Sequence, residues 1–352
     1  MRRYLVFLVI FLMVNVGNSF ATSLDITYRD TGISFGNSKR INGIRFNLVD
    51  HDVEKVNGLN LTFWIPKDNP NAVMNGLALG LIGLDARELN GLSFGGVGIG
   101  GGKISGFSFG TAGLAVDDVE GVAIGGVGLA AGDINGVAIG GVGMATGEIN
   151  GLAIGGIGAA TESVNGVVIG GIGLAGDDIK GVTLGGIGIA GNIITGITIG
   201  GMGVAANIIT GITVGGLGVA GDDMTGITVG GLGAAGDDIT GITVGGLGAA
   251  GDDITGITIG GLGVGAHDIT GVTVGGLKLK SHNLTGLAVG GYCKAKRNLT
   301  GLSIGVFNYA KHLNGVQIGI LNYCGNNPIP FRLLPIINVH IGGHHHQYRH
   351  TD

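Results

Sequence analysis

Proline occurs five times in this chain of 352 residues and nowhere between Pro70 and Pro328, so its long middle holds no residue that withholds a backbone N–H. Phe, Tyr and Trp are missing from Gly110 to Gly291, which argues against the aromatic girdles that a membrane-spanning β-barrel sets at both lipid interfaces. Two cysteines, Cys293 and Cys324, are too few for a disulfide framework. Charged residues make up 12%, the formal net charge is −5 and no long basic run occurs, so the footprint of a nucleic-acid binder is absent. What is plentiful is glycine, 79 residues without the Gly-X-Y period of collagen. A hydrophobic share of 45% separates the chain from the polar mixtures that stay disordered.

The N-terminus reads MRRYLVFLVIFLMVNVGNSFA: two Arg, an apolar stretch from Tyr4 to Val16, then Ser19-Phe20-Ala21 with small residues flanking a cleavage position. This order predicts a signal peptide over 1–21 and a mature chain beginning at Thr22, exported to the periplasm, outer membrane or cell surface. An uncleaved membrane anchor is the alternative for the same segment.

The chain repeats itself every fifteen residues. Residues 225–239 read TGITVGGLGAAGDDI, identical to 240–254, and the Gly-apolar-x-apolar core recurs in steps of fifteen from Leu77 to Leu302. Looser copies lie around Ile44, Leu59 and Val316, for about nineteen units in all. The segment WIPKDNPNAV carries a three-residue insertion, with Pro66 and Pro70 marking a surface excursion. The predicted organisation is a signal peptide over 1–21, an N-terminal cap over 22–41, the array over 42–325, and a C-terminal cap with a His-rich tail over 326–352.

Within one unit, Ile242 and Val244 alternate with Thr243 as in a short strand, Gly245-Gly246 breaks the run, and Gly251-Asp252-Asp253 has turn chemistry. One unit cannot bury enough to order itself, so stability must come from stacking. The pattern predicts an all-β protein, a β-solenoid of about nineteen fifteen-residue coils, with Ile242, Val244, Leu247 and Ile254 inward and glycines at the corners. An outer-membrane β-barrel or a β-meander is the alternative. Transmembrane helices in the uncharged stretch 181–221 fit less well, because Gly, Thr and Ile at this density make poor helix.

Several motifs have a chemical reading beside a bland one. Gly246-Leu-Gly248-Ala-Ala-Gly251 spells a dinucleotide-binding loop, yet it recurs in register and is followed by turn and strand rather than a helix. Asp222, Asp223, Asp237, Asp238, Asp252 and Asp253 occupy the same columns in successive units and would form a carboxylate ladder, either a solvated turn or a seat for Ca2+. No other cofactor is expected. Thr240 and Thr243 head a Thr-x-x-Thr ladder of exposed or corner hydroxyls. Lys278, Lys280, Lys294, Lys296, Arg297 and Lys311 cluster near the C-terminal end and could meet anionic envelope lipids, although such a cluster is more often a solubilising surface. His340, His344, His345, His346 and His350 could hold a metal adventitiously. The two cysteines lie in units two apart, beyond disulfide reach in a solenoid.

Towards the end, Gly315-Val-Gln-Ile-Gly-Ile-Leu-Asn322 is followed by Asn326-Asn-Pro328 and Leu333-Leu-Pro-Ile-Ile-Asn338. These motifs, combined with Gly-rich fifteen-residue units, resemble a family of uncharacterised bacterial surface repeat proteins found in spirochaetes and Bacteroidetes. The resemblance covers residues 42–340 and implies an envelope or surface location with no known activity or catalytic residue. The expectation is an exported structural or interaction protein of the envelope or surface, without catalysis and with an unidentified partner. The alternatives are an integral outer-membrane barrel and a Ca2+-stabilised secreted repeat protein.

Overall fold

The computed structural model describes residues 23–67 and 69–342. The predicted signal peptide and the tail histidines His344, His345, His346 and His350 lie outside the described residues. The chain is all-β, 82% strand, and winds as a β-solenoid of about sixteen turns rather than closing as a barrel. It divides into two compact units, Met1–Thr161 and Glu162–Asp352.

In both units each strand lies parallel to the equivalent strand one repeat further on. Gly203–Gly215 pairs with Gly218–Gly230 in the second unit, so that Val204 meets Val219 and Ile212 meets Ile227. Gly98–Gly110 pairs with Gly113–Gly125 in the same way in the first. One sequence repeat is therefore one turn, and each turn satisfies the backbone N–H and C=O groups of its neighbours. Antiparallel pairs, the rule in membrane barrels, stand at the ends of the described chain. There Ser23–Tyr28 pairs with Thr31–Gly36, and Leu333–His340 lies against residues 315–323. The uncharged stretch is strand as well, Gly188–Gly200 and Gly203–Gly215.

The turn count falls short of the nineteen repeats read from the sequence for a local reason. The copies around Ile44, Leu59 and Leu77 form strands of eight residues, Arg40–Asn47, Lys55–Thr62 and Val73–Gly80, where Gly98–Gly110 has thirteen. Loops replace the rest of those turns, including the excursion at Pro66 and Pro70.

The structure reverses the expected facing of Ile242 and Leu247. In the turn 233–247, Ala234, Ile239 and Thr243 point inward and are 2–3% exposed, whereas Ile242 is 40% and Leu247 50% exposed. Of the four residues expected inside, Ile254 alone is fully buried, and Thr243, expected as an exposed or corner hydroxyl, takes an interior place. The cause is the narrow section of a fifteen-residue turn. Three inward side chains meet around one axis, and an aliphatic residue of Ile size on all three sides would overpack it. Volume is traded between columns: Leu129, Ile134 and Ala138 fill a turn of the first unit, and Ala234, Ile239 and Thr243 fill one of the second.

Glycine serves two corners differently. Gly241 has φ +125°, and a Cβ there would stand 2.1 Å from the carbonyl oxygen of Gly226, so both conformation and space exclude a side chain. At Gly246 the obstacle is space, with the Gly231 carbonyl oxygen 1.9 Å from the Cβ position.

At each end of the described chain the interior turns polar. Arg45 and Asp50, both fully buried, pair at 2.5 Å, and Asn60 and Thr62 complete the network. At the other end Asn308 donates to the Oδ1 of Asn322 at 2.7 Å, and Asn338 donates to the backbone carbonyl of Asn322 at 3.1 Å. Asn326 clamps Leu313 through both its amide oxygen and nitrogen. Residues of the Gly315–Asn322, Asn326–Pro328 and Leu333–Asn338 motifs thus help to close this end.

Two stability measurements check this arrangement. Ile239→Ala should cost about 2–5 kcal/mol in denaturant unfolding and Ile242→Ala about 1 kcal/mol or less; equal losses would restore the facing expected from the sequence. Gly241→Ala should cost more than about 2 kcal/mol, whereas Gly265→Ala, whose Cβ meets nothing within 4 Å, should be neutral or slightly stabilising.

Candidate interaction surface

In the second unit three outward columns adjoin one another across one side and its corner. The first runs Val182, Ile197, Ile212, Ile227, Ile242, Ile257, Val272, and the second Leu184, Ile199, Val214, Val229, Val244, Ile259, Val274. The corner column runs Ile187, Met202, Leu217, Leu232, Leu247, Leu262, Leu277, each amide donating to the carbonyl one turn back, as from Leu247 to Leu232 at 2.6 Å. Over seven turns no polar or charged side chain enters these columns. The corner residues are 47–67% exposed and the Ile of the first column 40–43%. Parallel backbone pairing locks the side chains at a pitch of about 4.8 Å, so the surface is a rigid aliphatic grid.

The side beyond the Gly241 corner has the opposite chemistry under the same geometry. Its columns carry Asp178, Ile193, Ile208, Asp223, Asp238, Asp253, Asp268 and Lys180 followed by Thr195 to Thr270. Asp223, Asp238 and Asp253 stack in register as the sequence predicts, and Asp222, Asp237 and Asp252 form the neighbouring corner column. All six are exposed. Successive carboxylates sit one turn apart and project to solvent, whereas Ca2+ needs six to eight oxygens at about 2.3–2.6 Å. No group of three His, Cys, Asp or Glu among the described residues is placed to hold a metal ion. The Gly246, Gly248, Gly251 motif crosses a corner into the strand Gly248–Gly260, with no helix N-terminus to receive a phosphate.

None of the basic residues stands in the aliphatic columns, although Lys278 directly follows Leu277 of the corner column. Lys278 and Lys280 flank the inward Leu279, and Lys294 and Lys296 flank the inward Ala295. Lys294 caps the Tyr309 ring at 5.2 Å, and Lys296 approaches Nε2 of His282 at 3.4 Å. Desolvation, together with the charges of Lys296 and Arg297 and with His267, pushes the His282 pKa below its ordinary value. Arg297 and Lys311 are exposed, and His340 bonds Asn327 through Nδ1 at 2.6 Å. Cys293 and Cys324 are unpaired and buried, and burial raises the pKa of both thiols.

In the first unit Phe94 and Phe109 stack in register as outward residues. Phe63, Phe94 and Phe109 with Leu61, Leu79 and Leu81 line an open groove of about 380 Å3. Nothing in the repeat pattern alone reveals that these columns face out, because alternation places apolar residues on one side of a strand without saying which side is solvent.

If the acidic columns are solvated turns, melting temperatures in EDTA and in millimolar CaCl2 should agree within about 1 °C. A rise of several degrees with Ca2+ would make the column a cation site. No family model, curated protein or solved structure matches the chain.

Proposed function

We propose that the chain is an exported structural and interaction protein of the cell envelope or surface, which works by presenting its aliphatic face to a partner rather than by catalysis. The observation that carries this reading is the contrast between two outward sides of one unit. Both are built from the same repeat and meet the same backbone constraints. One holds Asp, Asn, Lys, Thr and His beside the two aliphatic residues Ile193 and Ile208, and the other holds Ile, Val, Leu and Met in every turn from Val182 to Leu277. A solvated side gains nothing from excluding every polar residue, whereas a covered side does. The segment over 1–21 supports export, and the resemblance of the Gly315–Asn338 motifs supports an envelope address.

Retention at the cell surface tests the proposal. The native chain should be accessible to protease on intact cells, and Ile227→Lys/Ile242→Lys should be released to the medium while Thr225→Lys/Thr240→Lys stays bound. Equal retention of both variants, or recovery of the chain in the cytoplasm with residues 1–21 intact, would overturn it.

A further inference from the structure

We infer that the aliphatic face of the second unit is a self-association surface, on which a second copy of this chain packs sheet against sheet. The inference rests on the reading of that face as an interaction surface and names its partner. Three observations favour a copy over other occupants.

The first is area. The residues of these columns that are at least 37% exposed expose on the order of 1,000 Å2 between them, more than the few hundred Å2 typical of a monomer surface and enough for one side of a stable interface. The second is pitch. Ile197, Ile212, Ile227, Ile242 and Ile257 repeat at about 4.8 Å, locked by backbone pairing, and a surface that interdigitates with every rung must carry the same spacing. A second copy carries it by construction, and two such sheets can close to about 10 Å. The third is charge. No charged group stands in the three columns, so pairing them strands no ion. The Asp222, Asp237 and Asp252 column lies on another corner, free to stay in water.

A bilayer fits these observations less well. Surface-bound amphipathic elements set Lys and Arg on the polar face and aromatic residues among the apolar ones. This face has no aromatic residue in its seven turns, and the side beside it is acidic.

Sedimentation equilibrium on the purified chain from Thr22 onward, with vesicle flotation alongside, tests the inference. The expected result is a species of twice the protomer mass that dissociates on dilution. In Ile227→Lys/Ile242→Lys, and independently in Leu232→Lys/Leu247→Lys, the dissociation constant should rise about 30-fold or more. Thr225→Lys/Thr240→Lys should leave it unchanged, with circular dichroism and melting confirming that each variant is folded. A monomer at all concentrations, or association that the face variants do not weaken, overturns self-association. Flotation of a monomeric chain with phosphatidylcholine–phosphatidylglycerol vesicles, lost in the face variants, assigns the face to lipid and also overturns it. If the chain is monomeric but the face variants still leave the cell surface, the interaction reading survives and the copy as partner does not. If the chain dimerises through the face but retention is unaffected, the reverse holds.

Discussion

Everything in this molecule depends on backbone hydrogen bonds between parallel strands one repeat apart. A fifteen-residue circuit must turn several corners and still present its N–H and C=O groups to the turn above and the turn below. The corners are therefore tight enough to bring carbonyl oxygens to within about 2 Å of where a Cβ would stand, as at Gly241 and Gly246. The high glycine content follows from that requirement.

A circuit this short encloses little space. One or two residues of Leu, Ile or Met size per turn, flanked by smaller ones such as Ala138, Thr243 and Ala234, fill it. The larger aliphatic side chains that remain have nowhere to go but out, and they keep the β-branched character that a parallel strand favours. The ends pose a separate problem, because the last turn has no neighbour to cover its interior. Arg45 and Asp50 at one end and Asn308, Asn322 and Asn338 at the other fill that position with groups that bond to one another and to backbone. A buried ion pair of this kind adds little net stability, since desolvation offsets its attraction, but mispairing it would be costly, which favours one register.

The outcome is a surface with divided chemistry. Acidic and hydroxyl groups, joined near the C-terminal end by basic ones such as Lys280, Lys296 and Arg297, occupy one side and its corner, and aliphatic groups the next. Because repetition copies each side faithfully, any binding property of one turn is multiplied along its column. A weak contact at Ile242 becomes an extended one when Ile227 and Ile257 make it as well.

Much of the fold was legible in the sequence. The identity of 225–239 with 240–254 fixes the period, the glycines mark the corners, and the lack of aromatic residues and of prolines argues for stacked strands over a barrel. The acidic column was legible too, because residues one period apart must share a column. What the sequence by itself determined is which residues stand above one another. Only the tertiary structure decided which columns face water. Alternation of Ile242, Thr243 and Val244 is satisfied equally by either facing, and the usual expectation that aliphatic residues lie inside chooses the wrong one. The narrow interior decides instead, because three sides converge on one axis and the space they enclose admits Thr243 and excludes its neighbours.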